Sequence, residues 1–287
     1  MSALLLSILA SSLLFVVFYM FKKYNIHNLQ AIVVNYYVAA CLGVLLFNLN
    51  LSEVLQKPWF FYAIGMGSFF VVVFLLMAYT TQIQGLASVS VATKMSLILP
   101  ICVGIFYFKD SLTLFKILGV ILALPAVYLA TYKTSGSKQK RLRQRLLPLL
   151  VFLGSGFIDS GLKILEAHFV PPADIPLFTT TLFLSAATVG SVWVAIGYLK
   201  KEIHWASKNA VAGIALGIPN YFSVYFLIQA FKIKSIDSSS IFTLNNVAVV
   251  LVSTLIGYLA FKEVLNLKNK LGIAIAVISL VLISLSV

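Results

Sequence analysis

The sequence predicts an all-α integral membrane protein with ten transmembrane helices in two inverted five-helix repeats. The first observation is composition: 61% of the 287 residues are hydrophobic and 10% are charged, whereas an ordinary soluble domain has about 25% charged residues. The second is that apolar runs of membrane-spanning length recur along the whole chain. The third is an internal repeat, because features of the first half return in the second.

A transmembrane helix needs about 20 mostly apolar residues, and each predicted span is such a run. Helices are favoured over a barrel because no run shows sustained apolar and polar alternation. The first run lacks a basic start and a small-residue cleavage site, so we expect a retained span and not a removed signal peptide. In chain order the predicted spans are 3–21, 28–47, 59–80, 86–107, 112–132, 146–166, 175–199, 209–231, 238–260 and 269–286.

The net charge of +13 is explained by orientation signals, so nucleic-acid binding is not expected. Fourteen Lys and Arg residues lie in loops after odd-numbered spans and five in loops after even-numbered spans. The positive-inside rule places the more basic loops in the cytoplasm, so both chain termini are predicted to be outside. The largest basic segment, Lys133–Arg145, is interpreted as a topology anchor and linker, with binding of anionic lipid headgroups as the alternative.

The repeat defines two halves of five spans each. Gly104–Ala123 matches Gly257–Ala276 at an offset of 153 residues, and Gly65–Tyr79 matches Gly217–Phe231 at an offset of 152. The predicted units are therefore residues 1–135, a basic cytoplasmic linker at 136–145, and residues 146–287. Because five is odd, the second half enters the membrane from the opposite side, as in many secondary transporters whose site lies between the halves.

The chain resembles the drug/metabolite transporter superfamily, in its EamA-type branch of ten-span proteins. The residues that carry the resemblance are an acidic turn and the following helix in each half, Phe108–Gly119 (FKDSLTLFKILG) and Phe261–Gly272 (FKEVLNLKNKLG). The family usually has Gly-Glu where this chain has Lys-Asp and Lys-Glu. The resemblance covers the whole chain and implies a secondary transporter, but it does not define the substrate, because the superfamily handles amino acids, nucleotide sugars, phosphorylated sugars and drugs.

Three charged residues fall well inside predicted spans, where charge is costly and usually faces a polar interior. Asp159 and Lys163 are four residues apart on one helix and can pair, as a structural or a coupling ion pair. Lys94 is the only Asp, Glu, Lys or Arg between Lys57 and Lys109. We interpret it either as a structural charge paired across helices, for example with Asp159, or as a binding group for a carboxylate or phosphate.

Further candidate substrate-binding residues follow from the faces and from the repeat. Ser90 shares the helix face of Lys94, and at the offset of 152 Lys94 corresponds to Asn246, which adjoins Asn245. The alternative role of these amides is hydrogen bonding between helices. In the eighth span, next to Pro219, which frees a backbone carbonyl and can break the helix, an amide and two aromatic residues are candidates for a cavity wall: Asn220, Tyr221 and Tyr225.

The predicted function is secondary transport of a small polar metabolite (an amino acid, an organic acid or a phosphorylated metabolite) by alternating access. A broad-specificity exporter of drugs or lipophilic compounds is the alternative, and a membrane-embedded enzyme or assembly factor is a rival from another class. The sequence has no constellation typical of catalysis or metal binding, so we expect no enzyme and no cofactor. The expected partners are a small molecule and the bilayer of a bacterial inner membrane; monomer and homodimer both remain open.

Overall fold

The computed structural model describes residues 2–109, 113–132, 138–230 and 238–285. These residues form helices and no strand. The helices are α1 (Ser2–Lys23), α2 (Asn28–Phe47), α3 (Phe60–Gln84), α4 (Leu86–Met95), α5 (Ile98–Phe106), α6 (Leu114–Ala130), α7 (Lys138–His168), α8 (Ile175–Leu199), α9 (Ser207–Ala230), α10 (Ser238–Phe261) and α11 (Leu267–Ser284), with short 3₁₀ helices at Leu51–Gln56 and Pro172–Asp174.

Within the described residues, nine segments are long and apolar enough to cross a membrane. Seven of them lie within single α-helices, one, Leu86–Phe106, joins α4 and α5, and one, Pro172–Leu199, joins the second 3₁₀ helix and α8. The described part of the fifth predicted span, Leu114–Ala130, is a shorter apolar helix of 17 residues. The protein is therefore an all-α, multi-pass membrane protein.

The fourth predicted span is interrupted by a turn at Ser96 and Leu97 between α4 and α5. The reason is Pro100, which has no N–H for the Ser96 carbonyl and whose ring would clash with it in a continuous helix. The Ser96 carbonyl instead accepts a bond of 2.9 Å from the Leu99 N–H. The break lies about 15 Å along this span from Leu86, close to the middle of the membrane.

Two other boundaries differ from the sequence prediction. The α7 helix begins at Lys138, so most of the segment predicted as linker continues the helix of the sixth span. In α9 the helix runs through Pro219 without interruption, because a membrane helix can satisfy the freed carbonyl within the bundle.

Each helix of the first half packs against helices of the second. The closest helix pairs are α6 with α11, α2 with α8 and α9, α1 with α9 and α10, α3 with α7 and α8, and α4 with α7 and α10. Small residues permit this approach. A Cβ at Gly213 would lie 2.6 Å from the Ala31 carbonyl oxygen and one at Gly217 would lie 2.8 Å from that of Asn35, so this GxxxG face fits directly onto α2.

Candidate functional site

The charged groups at membrane depth meet where α4 packs against α7. Lys94 lies in the last turn of α4, where the helix C-terminus favours a positive charge. Asp159 of α7 is near enough to interact electrostatically with Lys94, although the two do not form a direct ion pair. The Asp159 carboxylate also lies 3.4 Å from the Ser96 hydroxyl at the helix break, and that hydroxyl donates to the Thr93 carbonyl at 2.5 Å.

Asp159 retains accessible surface although its neighbours Ile158 and Ser160 are buried. Lys94 is itself partly accessible. An ionised group inside a membrane protein is most stable where it meets water or a counter-charge, and each of these two groups has the other as a charged neighbour.

Lys163 has its ammonium nitrogen 5.2 Å from the centre of the Phe108 ring, a distance typical of a cation–π contact. Phe108 follows α5, so Lys163 faces the far end of that helix. The contacts of Asp159 with Ser96 and Lys94 lie toward the opposite end of α5. Pairing of Asp159 with Lys163 therefore stays a prediction, and the structure adds Lys94 as a further charged neighbour of Asp159.

Asn245 and Asn246 are almost completely buried on α10, with 1% and 3% of their surfaces exposed. The α10 helix packs against α4 and α1. The Asn245 carbonyl oxygen Oδ1 is buried without a hydrogen-bond partner among the described residues. An unsatisfied amide oxygen at membrane depth is costly, which points to a water or ligand group that the protein does not supply.

Five buried hydroxyls without a hydrogen-bond partner in the described part of the chain lie on α1, α4, α7 and α10, so with the Asn245 amide oxygen these four helices carry six such side chains. One further hydroxyl of this kind, that of Thr80, lies on α3. These four helices form a connected group through the pairs α1–α10, α4–α10, α4–α7 and α1–α4. We use the term central polar set for the six side chains together with the two charges: Ser12, Thr93, Lys94, Ser155, Asp159, Ser160, Asn245 and Thr254.

The central polar set occupies the middle part of all four helices, and its two members on α10, Asn245 and Thr254, are about 13 Å apart along the helix axis. At a rise of about 1.5 Å per residue, each of its members is roughly 10–15 Å from the nearer end of its span. Polar side chains are normally paired when they are buried, so these unpaired oxygens, on the same helices as two charges, can accept a polar ligand or a chain of waters.

Ser90 lies one turn before Lys94 and is fully buried. Its hydroxyl donates to the Ala87 carbonyl of its own helix at 3.0 Å. This is a local bond of the kind that serine commonly makes in helices. Its hydroxyl oxygen can still accept a bond from a ligand.

The three candidates on α9 lie elsewhere in the fold. The Asn220 amide donates to the Asn35 side-chain oxygen at 3.1 Å, which joins α9 to α2. Tyr221 and Tyr225 stack with ring centres 6.2 Å apart. Both line a largely apolar cavity of about 220 Å³ between α2, α8 and α9, together with Phe47, Phe183, Pro172 and Pro176.

The structure thus places Lys94 and Ser90 on α4, which packs against both α7 with Asp159 and α10 with Asn245 and Asn246. The three α9 residues lie at a second position. Sequence reasoning did not identify Ser12, Thr93, Ser96, Ser155 or Ser160. Pro100 was the available signal for the break at Ser96. The serines of α1 and α7 carry no signal beyond their polarity. The described residues include no group of three or more His, Cys, Asp or Glu side chains that could hold a metal ion.

No family model matches the chain. The sequence is 29% identical over 283 residues to an uncharacterized protein of Haemophilus influenzae, covering 95% of this chain and 94% of that protein. A solved crystal structure superposes with a TM-score of 0.61 at 16% sequence identity, covering 99% of this chain and 98% of the other. This likeness extends over the whole length and supports the overall fold alone.

Proposed function

We propose that the protein is a secondary transporter of a small polar metabolite that carries a negative charge, such as an amino acid, an organic acid or a phosphorylated metabolite. The observation that carries this proposal is the central polar set, in which Lys94 and Asp159 share four packed helices with buried polar side chains that have no hydrogen-bond partner among the described residues. Lys94 is its only positive charge and would bind the carboxylate or phosphate. The resemblance of the acidic turns to those of EamA-type drug/metabolite transporters supports the same function.

The packing pattern supports two inverted repeats within a ten-span protein. Exchanging the halves replaces α1, α2, α3, α4–α5 and α6 with α7, α8, α9, α10 and α11. Under this exchange α2–α9 becomes α3–α8, and α1–α9 becomes α3–α7. Likewise α1–α10 becomes the contact of α7 with α4 and α5, while α4–α10, α2–α8 and α6–α11 map onto themselves.

Inverted repeats explain how one site serves both sides of a bacterial inner membrane. The central polar set draws on the first and fourth spans of each half, so it lies on the interface that would rearrange. Rocking one half against the other opens this interface to alternate sides. The discontinuous fourth span places a helix C-terminus beside Lys94 and a helix N-terminus just beyond Ser96, the arrangement that transporters use to bind ions and substrates at the midplane.

The second candidate function is export of lipophilic compounds. The apolar cavity next to Tyr221 and Tyr225 favours it, because apolar pockets with a few polar groups are typical small-molecule sites. The two functions differ in the site that matters. Polar-metabolite transport depends on Lys94, whereas lipophilic export depends on the tyrosines.

Uptake of a panel of labelled amino acids, organic acids and sugar phosphates into proteoliposomes tests the proposal. For an accepted substrate, we expect Lys94→Gln to lower transport by about tenfold or more, which corresponds to ~1.4 kcal/mol. Lys94→Arg should keep part of the activity because it keeps the charge. The control is Lys200→Gln, which removes one exposed charge at the end of α8 and should transport normally. Unchanged transport by well-folded Lys94→Gln protein contradicts the substrate role of Lys94.

A further inference from the structure

The turn after α10 brings a carboxylate of the second half to a helix of the first half. Glu263 follows the end of α10 by two residues, and its backbone N–H donates to the Gly257 carbonyl at 2.9 Å. Its side-chain oxygen Oε1 accepts a hydrogen bond of 2.6 Å from the Leu86 N–H. Its other oxygen Oε2 lies 3.5 Å from the Ala87 nitrogen. Glu263 therefore caps the start of α4 from outside that helix.

Two glycines make room for this carboxylate. A Cβ at Gly85 would lie 2.5 Å from Oε1 and a Cβ at Gly257 would lie 2.7 Å from Oε2. Gly85 also has φ +95°, a conformation that other residues adopt only with strain. The first N–H groups of a helix have no partner within the helix, and a negative charge is favourable there. The contact thus joins backbone N–H groups of the first half to a side chain of the second.

Other contacts between halves lie at the same end of the bundle. Tyr19, near the end of α1, has its ring centre 4.4 Å from that of Phe261. The Asn266 amide donates to the Tyr132 carbonyl at 3.2 Å, and the Asn269 amide donates to the Ala130 carbonyl at 2.9 Å. This end carries Lys22, Lys262 and Lys268, so the positive-inside rule assigns it to the cytoplasm. In this conformation, polar and aromatic contacts hold the cytoplasmic end together.

The helix that Glu263 caps is the one that carries Lys94. Lys94 lies eight residues after Leu86, about 12 Å further along the helix axis. Alternating access requires α4 and α10 to separate at the cytoplasmic end, because their contact joins the two halves. The bonds from Leu86 and Ala87 to Glu263 span that separation and must break when it opens.

We infer that Glu263 is the latch of the cytoplasmic gate: its carboxylate holds the start of α4 against the second half, and release of the Leu86 and Ala87 N–H groups opens the path to Lys94. This inference rests on the proposed transport function. Its test is an accessibility measurement that needs no substrate, so failure of the latch and failure to find transport are separate results.

The test uses a reporter cysteine in a chain whose two native cysteines, Cys41 and Cys102, are replaced by serine. Ala87→Cys places the reporter at the latch, where the native side chain is 1% exposed. Val170→Cys, where the native side chain is 4% exposed, reports on the other end of the bundle. A membrane-impermeant maleimide is applied to inside-out vesicles for Ala87→Cys and to right-side-out vesicles for Val170→Cys.

Glu263→Ala should raise the labelling rate of Ala87→Cys by roughly fivefold, as expected for the loss of one helix cap. Glu263→Gln keeps one acceptor oxygen without the charge and should give a smaller increase. The matched control is Glu202→Gln, an exposed acidic residue at the same end of the bundle, which should leave labelling unchanged.

Labelling of Val170→Cys distinguishes the latch from general loosening. Opening of the cytoplasmic gate leaves its labelling rate unchanged or lowers it. Equal increases at both reporters in Glu263→Ala would overturn the inference, because they would mean that Glu263 only stabilises the fold. An unchanged rate at Ala87→Cys would overturn it as well.

Discussion

At the scale of single residues, the arrangement of Lys94 and Asp159 determines how the charge at membrane depth is held. The two groups interact electrostatically, and the Asp159 carboxylate also lies next to the Ser96 hydroxyl. Removal of one charge leaves the other without its counter-charge in a low-dielectric region, and this costs more than removal of both. The two side chains should therefore act as a unit in stability measurements.

A double-mutant cycle tests this coupling. We expect Lys94→Gln and Asp159→Asn to be non-additive in thermal stability in detergent, with a coupling energy of about 0.5–3 kcal/mol. The parallel cycle for Asp159→Asn with Lys163→Gln should give a smaller coupling, since Lys163 lies beside the Phe108 ring. A larger coupling in the Lys163 cycle would support the ion pair expected from sequence spacing instead.

The sequence was informative about which residues carry charge and less so about their partners. Lys94, Asp159 and Lys163 were identifiable because a charge within an apolar run is conspicuous. The proximity of Asp159 to Ser96 depends on how α7 is rotated against α4, and spacing along one helix contains no information about that rotation. Asn220 and the two tyrosines were grouped with Lys94 on polarity and depth alone. The structure places them between α2, α8 and α9 because their helix packs mainly on the first two spans.

At the scale of helices, close glycine contacts hold the seam between α6 and α11. A Cβ at Gly272 would lie 2.6 Å from the Leu129 carbonyl carbon. The equivalent glycine of the first half, Gly119, faces the Ser279 carbonyl oxygen, which a Cβ there would approach to 2.9 Å. The Ser279 hydroxyl donates to the Gly119 carbonyl at 2.6 Å. At Gly272 the three nearest atoms all belong to the backbone of Leu129 and Ala130, so no flexible side chain could move aside there, whereas at Gly119 the Ile283 side chain also lies within reach of a Cβ.

Gly272→Ala should therefore destabilise the protein by about 1–3 kcal/mol, as overpacking of a tight contact usually does. Gly65→Ala is the matched control, because Gly65 is also helical and a Cβ there would meet no atom within 4 Å. It should be neutral or stabilising by up to ~1 kcal/mol, the difference in helix propensity. The measurement is the melting temperature of both variants in the same detergent. An equal decrease in the two variants would exclude close packing at Gly272 as the cause.

The positions of the membrane spans could be predicted from the sequence, but the places where a helix breaks or continues could not. Runs of apolar residues located the spans because each run must match the bilayer thickness. The break at Ser96 was not predicted, since a proline inside a membrane helix can either interrupt it, as Pro100 does, or be accommodated, as Pro219 is. The helical start of α7 at Lys138 was not predicted either, because its basic composition is typical of a loop.

At the scale of the whole molecule, orientation in the membrane follows from the charge bias of the loops. We expect Ser137→Cys to be labelled only from the cytoplasmic side. Glu53→Cys, in the exposed segment between α2 and α3, should be labelled only from outside. Both variants are made in a chain with Cys41 and Cys102 replaced by serine, and intact cells are treated with a membrane-impermeant maleimide. Only Glu53→Cys should then be labelled. Labelling of Ser137→Cys in intact cells would reverse the proposed topology.

The halves are joined by polar contacts at every depth. The Ser7 hydroxyl donates to the Ser223 carbonyl at 2.8 Å, and the Gln30 amide donates to the His204 carbonyl at 3.0 Å. Near the other end of the bundle, Lys57 pairs with Asp174 at 3.1 Å. In each of these pairs one partner belongs to residues 1–135 and the other to residues 146–287.

This interlocking has a consequence for biosynthesis. Polypeptide synthesis proceeds at about 5–20 residues per second, so the second half follows the first by roughly 8–30 s. The Gln30 side-chain oxygen accepts a hydrogen bond from the Asn209 amide, as that of Asn35 does from Asn220. During that interval, Gln30 and Asn35 are in the bilayer before these two partners exist. The newly inserted first half must be shielded by the insertion machinery or by transient partners until its polar contacts arrive. The two halves made as separate chains should accordingly be degraded when expressed singly and survive when expressed together.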